Sequence, residues 1–435
     1  MIARALRMCA IVFPLVLAAQ TTGMLNLYPA NPVAEQTELN QAVNEANGSA
    51  VDVTRALEQH LLKYPNSARR AEMEATLYKN ATDANDTPRI VLYGEKLLLG
   101  KPDNELEVLD RVIRALEVPG DEEAAKKAMG YVIRYEAAVK DQRERPPEGH
   151  TTVAQWADLA DRAFARVSIL HARAIGTLGN SGEALTNADH SWLAFPSSEA
   201  AHERARWLVK LGRDSEAIDR YAEAVMIEDP RALFSDRDRD RKQATDLYVK
   251  LHGSDQGLGD LFLKAWDRTA QAMDDRLARY RAMDRNYGLT DAFEYVLPSG
   301  ANASPDAAPL DMTKLKGKTV VIDFWATWCV PCLGQHPLIA EVKQKYASDG
   351  DVVFLSLDAD DDHSLVAPFL KAQKWDERVY LEGGLAGLMT VASLPTVMVL
   401  DPAGKLFSRM TGFIPNEFER MLSTRIDEAR AAVTK

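Results

Sequence analysis

The feature that most restricts the fold is a nine-residue junction near the C-terminus, Phe324-Trp325-Ala326-Thr327-Trp328-Cys329-Val330-Pro331-Cys332. It follows a short β-branched run, Thr319 to Phe324, and leads into a helix-compatible stretch, Pro331 to Tyr346. A buried strand that passes directly into a helix carrying a C-x-x-C pair demands an α/β layered domain around it. Further runs fit that reading. Val352–Leu357 and Thr396–Leu400 are strand-like, and Ser364–Gln373 is helical with Asp362 placed as cap. Asp401-Pro402-Ala403-Gly404 fits a type I turn into a hairpin partner, Leu406–Met410. Asn416 and Glu419 form an expected capping box for a last helix through Ala432.

The pair also restricts chemistry. The chain has 3 cysteines, Cys9, Cys329 and Cys332. Residues 1–19 have the pattern of a signal peptide: Arg4 and Arg7, an apolar run from Ala10 to Ala19 broken by Pro14, and small residues for cleavage. Its removal takes Cys9 with it and leaves two cysteines, which can pair only with each other or with another molecule. The mature protein is expected to be exported, periplasmic if bacterial, and without a transmembrane anchor.

At the start of a helix, unpaired N–H groups and the macrodipole favour an anion, so Cys329 is expected as an attacking thiolate. Such placement brings a thiol from about 8.5 into a range of roughly 3.5–7.5. Cys332, one turn further in, is expected to be the less exposed resolving thiol. A purely structural disulfide over two intervening residues would contribute only about 2 kcal/mol of loop entropy. Zinc would need about four ligands. His336 and His363 are the nearest candidates and no second paired motif exists, so no metal and no cofactor are expected beyond a redox-active Cys329–Cys332 disulfide.

The segment VVIDFWATWCVPC, Val320 to Cys332, resembles the active-site segment of thioredoxin-like proteins, most of all the exported TlpA/ResA-type thiol–disulfide oxidoreductases. The resemblance covers about residues 290–435. It implies a buried acid at Asp323 that takes the proton of Cys332, a helix-bending proline at Pro337, and a cis-proline loop at Leu394-Pro395-Thr396. With Trp328 as an apolar wall, that loop would bind substrate, while Pro331 would stiffen the first helical turn. Trp325 is expected in the core. Two positions depart from the family pattern. Gln335 stands where relatives commonly carry Glu, and Ser393 where Gly is usual. The resemblance implies exchange of disulfides with protein substrates, in the sense of a reductase, and an electron donor not named by the sequence.

The remainder has another texture. Residues 30–290 carry no convincing strand signal and read as helices with short polar breaks, among them Asp52–Tyr64, Pro88–Leu99, Asp121–Val139 with Asp121 as N-cap, and Thr152–Ile175. Ala172, Gly179 and Ala184 recur 33 positions later as Ala205, Gly212 and Ala217. That period approaches the ~34 residues of tetratricopeptide repeats, which Gly212–Pro230 resembles. The expected organisation is a signal peptide (1–19), an all-α, tetratricopeptide-like solenoid (30–290), a linker (291–304) and an α/β thioredoxin-like domain (305–435). A groove on the helical part would take a peptide or protein ligand. The alternative function is a helical-repeat binding or assembly factor whose thioredoxin-like part mainly docks partners.

Several classes are excluded. A formal net charge of -12 is a poor match to nucleic acid. Gly94–Lys101 has the wrong spacing for a phosphate loop. Asp358, Asp360 and Asp362 begin like a calcium loop, but His363 and Phe369 stand where Gly and Glu are needed, and Asp236, Asp238 and Asp240 fail likewise. Ala326 stands where a peroxiredoxin would carry Thr.

Overall fold

The computed structural model describes residues 32–99, 105–145, 151–300 and 308–432. The expected signal peptide, with Cys9, lies outside the described residues, as do 301–304 of the expected linker; its first part, 291–300, carries a 3-10 turn, Ala292–Glu294, and the strand Val296–Leu297, with Phe293 and Leu297 buried in the sheet core. Two units divide between Asn85 and Asp86. The first contains α1 (Pro32–Glu45), α2 (Ala50–Lys63) and α3 (Arg70–Asp83). Ser49 caps α2 by accepting from the Asp52 amide. Leu57, Leu61, Met73 and Leu77 form its apolar interior.

The second unit begins, among the described residues, with the helices α4 (Thr87–Leu99), α5 (Leu106–Glu117), α6 (Glu122–Glu144), α7 (Val153–Thr177), α8 (Ser181–Ala194), α9 (Ser198–Lys210), α10 (Asp214–Met226), α11 (Phe234–His252) and α12 (Leu258–Met283). Asp121 caps α6 as expected, through the Ala124 amide. Thr152 and Gln155 close a reciprocal capping box at α7. The 33-residue recurrence corresponds to two consecutive helical hairpins, α7–α8 and α9–α10. Gly179 and Gly212 adopt positive φ (95° and 72°) between the paired helices. Each turn closes the same way, with Asn180 N–H on Ile175 C=O and Arg213 N–H on Leu208 C=O. This is the Schellman ending, which needs a left-handed residue and so selects glycine. Ala172, Ala184, Ala205 and Ala217 are all fully buried where the helices approach.

After α12 the chain turns to sheet. β1 (Val296–Leu297) pairs antiparallel with β2 (Leu310–Asp311). Next come β3 (Thr319–Trp325), α13 (Val330–Lys345), β4 (Val352–Asp358), α14 (Val366–Gln373), β5 (Val379–Leu381), α15 (Leu385–Leu388), β6 (Thr396–Leu400), β7 (Leu406–Thr411) and α16 (Pro415–Ala431). Five strands form a mixed sheet in the order β5-β4-β3-β6-β7, with β3 parallel to β4 and antiparallel to β6. β3 is buried along its whole length. One face packs Val320, Ile322 and Phe324 against Phe293, Leu297, Met312, Leu385 and Met398. The other sets Val321 among Ile339, Val342, Phe418 and Leu422, from α13 and α16. The expected order of an all-α part followed by an α/β thioredoxin-like part therefore holds.

Two local expectations fail. Asn416 does not cap α16, which starts at Pro415 with no side-chain cap. Proline at the first helical position has no N–H needing a partner, and Glu419 pairs instead with Lys345. Asp362 caps a 3-10 turn, His363–Leu365, through the Ser364 amide, and α14 follows only from Val366.

Gly176 of α7 is a very tight approach between helices. A Cβ there would overlap the ring of Trp207, which is itself buried. Overpacking of this kind costs roughly 1–3 kcal/mol. Gly176→Ala should lower the urea midpoint of the full chain accordingly, while Gly130→Ala, where a Cβ meets nothing within 4 Å, should not. Equal midpoints for the two variants would refute the packing account.

Candidate functional site

Cys329 is the N-cap of α13, and its Sγ accepts from the Cys332 amide at 3.3 Å. The two cysteines form a disulfide. Against the expectation of a more exposed Cys329, both cysteines are buried to nearly the same degree, Cys329 at 3% and Cys332 at 5% exposure. Both sit in an apolar cluster with Trp325, Ala326, Val366, Leu370 and Val379, and with Phe369, Trp375 and Leu394 at its edge. The flanking residues are the exposed ones, Trp328 at 66% and Val330 at 73%. Trp325 is core, as expected.

The helix start is rigid for local reasons. Pro331 occupies the first turn, where a missing N–H costs nothing. Pro337 lies inside α13 and removes the bond that the Leu333 carbonyl would otherwise accept. The turn before Cys329 is held from below. Asp360 accepts from the Thr327 amide at 2.7 Å and its hydroxyl at 2.8 Å. Asp358, fully buried, accepts from the Asp360 amide and contacts His363 Nδ1 at 2.7 Å. Burial raises the Asp358 carboxyl above its ordinary range. The acidic run that fails as a calcium loop therefore supports the cysteine turn.

The Leu394–Pro395 peptide is cis, as the family resemblance implied. Pro395 C=O accepts from the Gly412 amide and Ser393 C=O from the Thr396 hydroxyl. Thr396 opens β6 opposite Phe324. Leu394 thus lies between two residues whose carbonyls are engaged, with its own side chain against the cysteine cluster.

Asp323 is buried on β3. Desolvation, followed by the charge of Glu377, pushes its carboxyl up to about 8, against a smaller lowering by Gln335. Gln335 Nε2 lies 3.4 Å from Asp323 Oδ1, and Gln335 Oε1 is buried without a hydrogen-bond partner. An amide can serve either state of that carboxyl, donating to the carboxylate or, after rotation, accepting from the acid. Three participants escaped the sequence reading: Ser356, Glu377 and Trp375. Ser356 stands opposite Asp323 in the β3–β4 register. It accepts from Trp325 Nε1 at 2.8 Å and contacts Glu377 Oε1 at 3.3 Å. His336, weighed above only as a metal ligand, stacks on Trp375 at 3.4 Å and contacts Glu377 Oε1 at 3.0 Å. No local sequence signal marks Ser356, Glu377 or Trp375: Ser356 is set opposite Asp323 only by the β3–β4 register. Among the described residues no group of three or more His, Cys, Asp or Glu is placed to hold a metal.

The geometry is that of a thioredoxin-like domain: a disulfide at a helix start, a cis-proline loop beside it and a desolvated carboxyl on the central strand. Residues 292–425 match the family model described as Redoxin. Thiol-disulfide oxidoreductase ResA of a Bacillus cereus strain is 34% identical over 105 residues, 24% of this chain and 60% of that protein. Thioredoxin of Chlorobaculum thiosulfatiphilum is 27% identical over 111 residues, 26% of this chain and 79% of that protein. A thioredoxin family thiol:disulfide interchange protein of Chlorobium tepidum TLS is 23% identical, covering 32% of this chain and 98% of that chain, with a TM-score of 0.26. The chain thus spans 60% of the length of the ResA protein it matches.

Asp323 makes stability depend on pH with a defined sign. Its folded value, about 8, exceeds the ordinary 3.8. Between about 4 and about 8 the unfolded chain has released this proton and the folded chain has not, so this group lowers stability as pH rises. Asp323→Asn should therefore raise the urea midpoint more at pH 8 than at pH 4. A gain independent of pH would show that Asp323 does not titrate as stated.

Proposed function

We propose that this protein is an exported thiol–disulfide oxidoreductase, acting as a reductase of protein disulfides. The observation that carries the reading is the Cys329–Cys332 disulfide at the start of α13, with Leu394, which precedes the cis Pro395, packed at its edge. In the reduced protein, Cys329 thiolate attacks a substrate sulfur and the other substrate sulfur leaves as a thiolate. Cys332 passes its proton to the Asp323 carboxylate and attacks Cys329 Sγ. The substrate's second sulfur is released, and the Cys329–Cys332 bond re-forms. The substrate disulfide gains two electrons and the cysteine pair loses two. A thiol electron donor then restores the pair. Trp328 and Val330 offer an exposed apolar margin to the incoming chain, and the Leu394 backbone offers it hydrogen bonds. Export rests on the pattern in residues 1–19; among the described residues no helix is long and apolar enough to cross a membrane.

The helical part, residues 30–290, is proposed to choose the partner, and residues 305–435 to perform the exchange. Its support is a cavity of about 980 Å³ lined by α5, α7, α9 and α11. The lining is charged. Arg166 reaches Glu199 at 2.9 Å, and Arg173 reaches Glu203 at 2.7 Å and Glu199 at 2.9 Å. Arg114 and Arg206 lie at its half-exposed margin. A peptide or protein segment held there would raise the local concentration of its disulfide near Cys329. The same cavity is what favours the second reading, a binding or assembly factor.

The exchange reading is tested with reduced protein, insulin and dithiothreitol. Cys329→Ser should abolish turnover, and Cys332→Ser should accumulate mixed disulfides; activity retained by Cys329→Ser would refute the mechanism. Partner choice is tested in the full-length Cys332→Ser trap. Arg114→Ala with Arg206→Ala should cut the yield of trapped natural partners several-fold, and the same pair of substitutions with Cys332 intact should leave insulin reduction unchanged. Unchanged trapping would remove the cavity from substrate choice.

A further inference from the structure

Glu377 precedes β5 and is remote in sequence from both cysteines, yet the fold brings it under them. β3 and β4 run parallel, with Asp323 opposite Ser356, and Ser356 is in turn opposite Val379 of β5. Glu377 is two residues ahead of Val379 and contacts the Ser356 hydroxyl at 3.3 Å. On the helix above, Cys332, Gln335 and His336 fall at i, i+3 and i+4, which places them on one face of α13. Gln335 reaches Asp323, and His336 reaches Glu377 at 3.0 Å while stacked on Trp375. The face of α13 that carries Cys332 is therefore tied to two carboxyl groups, Asp323 of β3 through Gln335 and Glu377 of the segment before β5 through His336.

The groups surrounding Asp323 can be named element by element. β4 and β6 oppose it with Ser356 and Val397. α13 brings Cys332, Gln335 and His336, and the segment before β5 brings Glu377. Arg378, the next residue, turns away to the Tyr380 ring and the Ala308 carbonyl. Besides the sulfurs, the titratable neighbours are thus Glu377 and, beyond it, His336.

We propose that Glu377, held by Ser356 and His336, is a positioning residue for disulfide exchange: its negative charge, added to the burial of the site, moves upward the pH at which Asp323 can accept the proton of Cys332. The inference rests on the exchange reading above. The sign follows from electrostatics. A carboxylate beside Asp323 opposes a second negative charge, keeping Asp323 protonated to higher pH. While protonated, Asp323 cannot take the Cys332 proton, Cys332 stays a thiol and the mixed disulfide persists. As Asp323 ionises, the proton moves to it, Cys332 attacks Cys329 Sγ and the substrate thiolate leaves. No external reactant enters this step. Gln335, being neutral, leaves Glu377 as the charge that does this tuning.

The test uses the full-length protein in two arms. First, aspartate carboxyl carbons are labelled and titrated by NMR, the Asp323 signal being assigned by its loss in Asp323→Asn. Glu377→Gln should lower the Asp323 midpoint by about one pH unit, and Glu377→Asp, which keeps the charge, should restore most of it. Second, stopped-flow rates of mixed-disulfide release are measured against pH. The rise in rate should move to lower pH in Glu377→Gln, and Glu377→Gln should add no further shift in an Asp323→Asn background. A merely structural glutamate would change the plateau rate or the melting temperature and leave both midpoints in place, and that result overturns the proposal. A shift that persists without Asp323 also overturns it. If the wild-type chain shows no exchange at any pH, the exchange reading falls and takes the role in the reaction with it, whatever the NMR arm shows.

Discussion

The C-terminal part depends on the complete burial of β3. Seven consecutive residues, Thr319 to Trp325, are removed from water, and both edges of the strand are paired. Burying so much backbone is possible only because the β4 and β6 ladders satisfy it. The price is that Asp323 goes under with its neighbours. A carboxyl cannot be desolvated without a strong bias towards its neutral form. The same strand that builds the core thus creates a group ready to exchange a proton near neutral pH.

The alternation of β3 divides that strand into two tasks. Val320, Ile322 and Phe324 anchor one core. On the other face, Val321 joins the α13–α16 layer, and Trp325 joins the cysteine cluster. Asp323 stands between them. Because the side-chain period is two, a one-residue slip would send Asp323 to the wrong face and Trp325 away from the disulfide. The ladders to β4 and β6 therefore set the position of the site as well as its stability.

The helical hairpins obey a different constraint. Ala172, Ala184, Ala205 and Ala217 let helices approach closely, and Gly179 and Gly212 permit the left-handed endings that reverse the chain. Their outcome is a wide, charged concavity with its arginines and acids in mutual contact, not an apolar cleft. The two parts are joined within one unit by Asn286, which holds the Val296 backbone and the Gly383 carbonyl.

The sequence by itself determined what local chemistry can encode. The strand-to-helix junction at Cys329, the Pro331 start of α13, the Asp121 cap and the glycine-ended hairpins are each written in adjacent residues. Asp323 and the cis peptide at Pro395 were reached through resemblance of short motifs in the right order. Strand β5 and the first hairpin, β1–β2, are only three and two residues long, too short to leave a periodic signal. The near-equal burial of the two cysteines is set by Trp325, Val366, Leu370 and Leu394, which approach from separate segments. Tertiary structure alone decided that Ser356, Glu377 and His336 would meet beneath Cys332, and that Asp360 would hold Thr327. Contacts across 33 or 41 residues depend on which strands pair and in which register, and single-chain periodicity carries no information on pairing.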